Sequence, residues 1–242
     1  MKKAGLLLAM VLAISAFAFI KPRIFKKAFL KFHTLTCNYP KIKADNSSLW
    51  GIDISHHQGD IEWEEFKKSK PYFIFIKATE GASHRDSRYK EYKKKAQDQS
   101  IIVGAYHFFN YCTNGKVQAD NFIDYADLTK GNLPPVLDAE FENNMPTKEK
   151  VQRELMAFIK QIEKTTGEKP IIYCETDYYT KYLEHELNGN YPLWISDFWR
   201  EPTCNYKFWQ KTDKYIHPAF KGTVDYNTFN GTLEELNNLK MK

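Results

Sequence analysis

Between residues 50 and 226 the chain alternates short apolar runs with stretches of helical periodicity. The runs fall at 50–55, 72–78, 101–109, 135–140, 170–174, 192–196, 206–210 and 223–226. Several are continuously apolar: residues 72–78 read YFIFIKA and residues 101–109 read IIVGAYHFF. A strand apolar on both sides is covered on both sides, which is the mark of a parallel sheet under helices. Helical spacing appears at 61–69, 87–97, 116–128, 148–165 and 176–187, and a last helix is expected at 232–239. The clearest is 148–165, where Val151, Leu155, Phe158, Ile159 and Ile162 recur on one face and Gly167 supplies the stop.

Strand–helix alternation predicts an α/β chain with a parallel sheet, and eight strands predict a closed barrel rather than an open sheet. The gaps after the sixth and seventh runs hold only loops. The expected fold is therefore an irregular, TIM-barrel-like (β/α) barrel of eight strands and about five main helices. No G-x-G-x-x-G or Walker loop occurs, which argues against a doubly wound nucleotide-binding fold.

Charge changes the picture at the N-terminus. The formal net charge of the 242 residues is +5, yet residues 1–48 hold nine Lys or Arg and one acid, Asp45. Of the 35 basic and 30 acidic residues this leaves 26 and 29, so the remainder carries a net −3. A mildly acidic body without a basic stripe does not suit nucleic acid. Lys2 and Lys3 precede an apolar run at 4–20, followed at once by Lys21, Arg23, Lys26, Lys27 and Lys31. Residues 1–31 read as an export signal, with Ala16-Phe17-Ala18 as a cleavage site, or as a retained membrane anchor with a basic flank suited to anionic headgroups. Residues 32–48 read as a linker and 49–242 as the barrel. The expected location is the cell envelope, exported or anchored. Cys37, Cys112, Cys174 and Cys204 show no C-x-x-C spacing, so zinc is not expected; free thiols are the default, with a disulfide open to an exported chain.

The candidate chemistry centres on Pro134-Pro135-Val136-Leu137-Asp138-Ala139-Glu140. Alternation puts Asp138 and Glu140 on one face of a short buried strand. Two adjacent acids in a partly buried site cannot both ionise easily, and an acid beside a carboxylate is the minimum for glycoside hydrolysis. In a (β/α) barrel the site lies at the C-terminal ends of the strands. Those ends carry Asp53, His56 and His57; Lys77 and Glu80; Tyr106 and His107; Asp138 and Glu140; Tyr173 and Glu175; Trp194 and Asp197; Trp209 and Gln210; and Asp225 and Asn227. A core would not need so many polar groups at equivalent positions.

Six ordered motifs now stand out. Gly51-Ile-Asp-Ile-Ser-His-His-Gln-Gly59 with Ile61-x-Trp63 resembles the opening motif of the family 25 glycoside hydrolases, the muramidase-type lysozymes. Phe75-Ile-Lys-Ala-Thr-Glu-Gly81, Gly104-Ala-Tyr-His-Phe108, Leu137-Asp-Ala-Glu140, Phe208-Trp-Gln210 and Val224-Asp225-x-Asn227 resemble the motifs that follow. The resemblance runs from about residue 49 to the C-terminus. It implies cleavage of the β-1,4 bond between N-acetylmuramic acid and N-acetylglucosamine in peptidoglycan, without a cofactor. It matches Glu140 to the proton donor, Asp138 to its acidic partner, and Asp53 and Asp225 to two further acids of the site.

On this reading Glu140 has a raised pKa, Asp138 stays ionised, and closely spaced carboxylates favour retention, with the substrate's own N-acetyl group as nucleophile. Tyr106, Lys77, Glu80, Tyr173, Trp194, Trp209, Gln210 and Asn227 are expected to bind substrate. The two tryptophans are as well suited to core packing, and Lys77 is expected to pair with a pocket carboxylate. His56, His57 and His107 are expected to be structural, and Glu142, Glu175 and Asp197 rim charges. A family 18-type chitinase would show a D-x-x-D-x-D-x-E run, which this chain lacks. An inactive glycan-binding module would not need all four acids.

Overall fold

The structure is a computed structural model describing residues 48–242. The leader, and the linker up to residue 47, lie outside the described residues. Among the described residues no helix is long and apolar enough to cross a membrane.

The chain begins with β1 (Leu49–Ile54), a 3-10 turn at His56–Gln58 and α1 (Trp63–Lys68). Next come β2 (Phe73–Glu80), a two-residue β3 (His84–Arg85) and α2 (Tyr89–Asp98). Then follow β4 (Ile102–Phe108), α3 (Gly115–Ala126), β5 (Val136–Asp138) and α4 (Lys148–Thr166). After β6 (Ile171–Glu175) the helical segment is split into α5 (Thr176–Tyr178), a π turn (Tyr179–Leu183) and α6 (Glu184–Leu187). The chain ends with β7 (Leu193–Ser196), β8 (Phe208–Ile216), β9 (Thr223–Phe229) and α7 (Leu233–Asn238).

Eight strands close a ring, β1-β2-β4-β5-β6-β7-β8-β9, because β1 pairs with both β2 and β9. β3 is a hairpin arm on β2, outside the ring. Pairing is parallel from β1 round to β8, but β9 is antiparallel to both neighbours. The expectation of a parallel sheet therefore fails at the last strand. Only residues 217–222 separate β8 from β9, too few for the crossover a parallel return needs. The reversal has a chemical consequence: β9 starts at the barrel mouth, so Asp225, near its beginning, lies beside Asp53 near the end of β1.

The interior is filled by Phe73, Phe75, Leu133, Val136, Ile171, Tyr173, Trp194, Phe208 and Phe229, with Leu236 of α7 closing the lower end. Phe75 stacks on Trp194 with ring centres 4.3 Å apart, and Phe73 meets Phe208 edge-on at 5.0 Å. Two glycines make room for these rings. A Cβ on Gly51 would fall 2.3 Å from the ring of Phe73, and one on Gly104 2.4 Å from that of Phe75.

Outside the ring, Ile74, Ile76 and Ala78 of β2 are fully buried among the surrounding elements. In α4, Val151, Leu155, Phe158, Ile159 and Ile162 form the buried face, with Thr147 capping one end and Gly167, at φ 73°, the other. The expected continuous helix at 176–187 is interrupted instead. The wider π turn lets Tyr178, Tyr179, Tyr182 and Leu183 all reach the buried side, more than one stripe of a regular helix accommodates.

Candidate active site

One pleat above the aromatic plug, the inward face turns polar. Phe75 is followed by Lys77, Gly104 by Tyr106, Val136 by Asp138, Trp194 by Ser196, Phe208 by Gln210 and Gly51 by Asp53. The change happens at the same height because the strands are in register: Asp53 lies opposite Asp225, Lys77 opposite Tyr106, Asp138 opposite Tyr173, and Ser196 opposite Gln210.

The floor of the mouth is a directional hydrogen-bond network. Trp194 Nε1, which can only donate, gives its proton to Asn227 Oδ1 at 2.8 Å. That fixes the Asn227 amide, so its Nδ2 donates to Asp53 Oδ2 at 2.7 Å. Gln210 is fixed similarly: Tyr173 OH and Ser196 Oγ donate to its Oε1 at 2.8 and 2.9 Å, and its Nε2 donates to Asp53 Oδ2 at 3.0 Å. Both chains end on one oxygen of Asp53, which is built to accept.

The acids above this floor differ in their proton affinities. Burial pushes Asp53 up to about 6, against the hydrogen bonds from Asn227 and Gln210 and one with Asp225 that favour its charged form. Asp225 is pushed up to about 9, first by burial and then by the charges of Asp53, Asp213 and Glu140. At neutral pH the pair thus holds one proton, on Asp225, donated toward Asp53. Asp138 lies well above the ordinary carboxylate range, through burial, then the charge of Glu140, then that of Asp53; Lys77 opposes the shift. Its Oδ1 is buried without a hydrogen-bond partner. Glu140 lies just beyond β5, is less buried, and its charge reaches Asp138, Tyr173 and Asp225. Burial and the charges of Asp53, Asp138 and Asp225 keep Tyr106 a neutral hydroxyl.

An acid of intermediate burial beside a deeply buried one, over a floor that holds a third acid as acceptor, suits acid-catalysed cleavage of a sugar bond. Residues 52–220 match the family model of the glycosyl hydrolases family 25. The chain belongs to glycosyl hydrolase family 25. The protein YegX of Escherichia coli (strain K12) is 34% identical over 198 residues, 78% of this chain and 72% of its own. Lysozyme M1 of Streptomyces globisporus is 29% identical over 211 residues, 80% of this chain and 71% of its own. The solved structure of a family 25 glycosyl hydrolase from Bacillus anthracis superposes with a TM-score of 0.76 at 34% identity, covering 84% of this chain and 98% of that one. As a family 25 member the chain is a glycoside hydrolase.

The family 25 barrel brings most of the expected residues together. Asp53, Asp138, Glu140 and Asp225 share the mouth with Tyr106, Tyr173, Gln210 and Asn227. Lys77 Nζ donates to Glu80 Oε2 at 2.7 Å and lies 4.8 Å from the centre of the Phe108 ring. Burial would raise Glu80, but this bond and the Lys77 charge outweigh it and leave Glu80 below its ordinary value. Two expectations are corrected. Trp209 does not face the mouth: Phe208 and Gln210 point inward, so alternation turns Trp209 out, where its Nε1 donates to the Asp197 carbonyl at 2.8 Å. Trp194 is buried in the plug and acts through Asn227 rather than by offering a face to sugar. Burial lifts Asp138 above the ordinary carboxylate range, a shift that the sequence reading assigns to Glu140.

His107 is structural as expected, bonded to Thr79 Oγ1 at 2.7 Å and Gln118 Oε1 at 3.1 Å, and burial lowers it to about 4. His56 Nδ1 lies 2.7 Å from Asp86 Oδ2. Among the described residues no cluster of His, Cys, Asp and Glu is arranged for a metal, and Cys112, Cys174 and Cys204 are free. Sequence reasoning missed Tyr111 and Tyr178. Tyr111 OH donates to the Glu140 carbonyl at 2.9 Å and meets Tyr178 OH at 2.5 Å, while Phe141 packs edge-on against Tyr178. These buried tyrosines clamp the backbone that carries Glu140. Only the aromatic content of residues 173–182 hinted at Tyr178.

Proposed function

We propose that this family 25 hydrolase is a muramidase, cleaving the β-1,4 bond between N-acetylmuramic acid and N-acetylglucosamine in peptidoglycan. The observation that carries this reading is the buried, unpartnered Oδ1 of Asp138 next to Glu140. A buried acceptor left without a donor is costly, and a site that leaves one open is shaped for a ligand that brings the donor. The N–H of an N-acetylated sugar is such a donor.

In the proposed reaction Glu140 gives its proton to the glycosidic oxygen as the bond to C1 breaks. The acetamide oxygen of the same sugar attacks C1 and forms a cyclic oxazolinium. Asp138, as its carboxylate, accepts the acetamide N–H and stabilises the growing positive charge. Water then adds to C1 and returns a proton to Glu140, with net retention. The Asp53–Asp225 pair keeps a further negative charge beneath the sugar without two adjacent bare carboxylates. A substrate in the wall places this reaction at the cell envelope, in keeping with a leader that reads as an export signal or anchor.

Purified cell walls test the reading directly. Clearing of the suspension with new reducing ends on N-acetylmuramic acid is expected. Reducing ends on N-acetylglucosamine would contradict the bond specificity, and binding without clearing would make the chain a glycan-binding module. A product of inverted configuration would rule out the assisted route.

A further inference from the structure

The loop leaving β7 carries Phe198 and Trp199, which are 37% and 50% exposed. Of the large apolar side chains that are exposed among the described residues, these are the adjacent pair, and they lie two and three residues beyond Ser196, on the mouth side of the barrel. Exposed aromatic rings at the rim of a polar site offer a surface on which a ligand can pack.

The loop is also held firmly. Asp197 Oδ1 accepts from the backbone N–H groups of Trp199 and Arg200 at 3.0 and 3.2 Å, and its Oδ2 accepts from Thr176 Oγ1 at 3.1 Å. The Asp197 carbonyl receives Trp209 Nε1, and the Asp197 N–H donates to the Gln210 carbonyl at 3.3 Å. Asp197, expected to be a rim charge, is thus the fastening of the loop. It ties both rings to the same β8 residue whose side chain reaches Asp53. A preorganised aromatic surface binds a rigid ring with little further ordering cost. The apolar faces of sugar rings match such surfaces.

We propose that Phe198 and Trp199 form an added glycan subsite, stacking on a sugar ring of the same peptidoglycan strand outside the pair of sugars being cleaved. The inference rests on the muramidase reading and extends it: the enzyme takes long strands in preference to short fragments. Trp209, on the outer face of β8, supports the loop rather than meeting sugar.

The test compares the full chain with its Trp199→Ala and Phe198→Ala/Trp199→Ala variants, on polymeric strands and on the disaccharide of the same repeat that fills only the cleaved pair. The loss in kcat/KM on strands is expected to exceed that on the disaccharide by about tenfold, the scale of one good aromatic contact. Equal losses on the two substrates, or none on either, would overturn the subsite. Co-sedimentation with purified strands, with Glu140→Gln added to each protein, reads the subsite without turnover. Weaker binding of the loop variants is expected, and unchanged binding would overturn the proposal. If the unmodified protein fails to cleave, the muramidase reading fails, while the binding arm still decides the subsite. A dimer in solution that Trp199→Ala dissolves would assign the rings to self-association instead.

Discussion

The lower half of the barrel and its mouth are built on the same strands, one pleat apart, yet obey opposite rules. Below, Phe73, Phe75, Val136, Ile171, Trp194, Phe208 and Phe229 fill the interior. At the mouth, Lys77, Asp138, Gln210 and Asp53 occupy the next inward positions of β2, β5, β8 and β1. The lower half gains stability by burying apolar surface. The mouth gives some of it up, since burial is the first cause that lifts Asp53, Asp138 and Asp225. Trp194 joins the two regions: its ring stacks in the plug and its N–H begins the chain that ends on Asp53. A rigid apolar layer beneath lets a set of mutually repelling groups be held in place above.

That contrast can be broken from below. Phe75→Ala empties the space that Gly104 leaves for the ring and removes the stack on Trp194. A loss of about 3–5 kcal/mol is expected, which thermal melting would read as a fall of roughly 6–20 °C for a chain of this size. A fall of only a degree or two would mean that the plug is not what holds the barrel.

From above, the expected sign is reversed. Asp53 and Asp225 have folded pKa values of about 6 and about 9, above the ordinary 3.8. A group raised on folding favours the folded state while it keeps its proton, and that contribution is lost as pH climbs through its folded pKa. Stability is therefore expected to decline from about pH 4 toward pH 9. Asp225→Asn should flatten the decline and add about 1–2 kcal/mol at pH 7 while lowering activity. Denaturant midpoints at pH 5, 7 and 9 check this; a variant less stable at pH 7 would contradict it.

The smallest effect concerns the clamp behind Glu140. Tyr111→Phe keeps the ring but removes the donor to the Glu140 carbonyl. A loss of about 1 kcal/mol, or about fivefold in kcat with KM little changed, is expected. A change in KM alone would place Tyr111 in substrate binding.

How much was legible follows from which forces are local. The eight barrel strands and the main helices were readable because their apolar spacing repeats within a few residues. The Asp138–Glu140 pair was readable because it ends such a run, and the ordered motifs tied it to Asp53 and Asp225. The reversal of β9 lay in the shortness of residues 217–222, a cue that strand counting overlooked. Trp209 was misplaced because a residue's side of a strand depends on which neighbour points inward, and that is known only once Gln210 is seen on Asp53. Tyr111 and Tyr178 are 67 positions apart and meet only in the folded chain. The upward shift of Asp138 likewise depends on burial, which only the assembled mouth supplies.

The central claim is that the mouth cleaves glycan through a proton delivered by Glu140. Glu140→Gln keeps the size and polarity of the side chain but removes the acid. Turnover of purified peptidoglycan and equilibrium binding of the same strands, measured on that one variant, test the claim together. The expected result is turnover reduced by about 10²–10⁴-fold with binding within a few-fold of the unmodified protein. Near-normal turnover would contradict it.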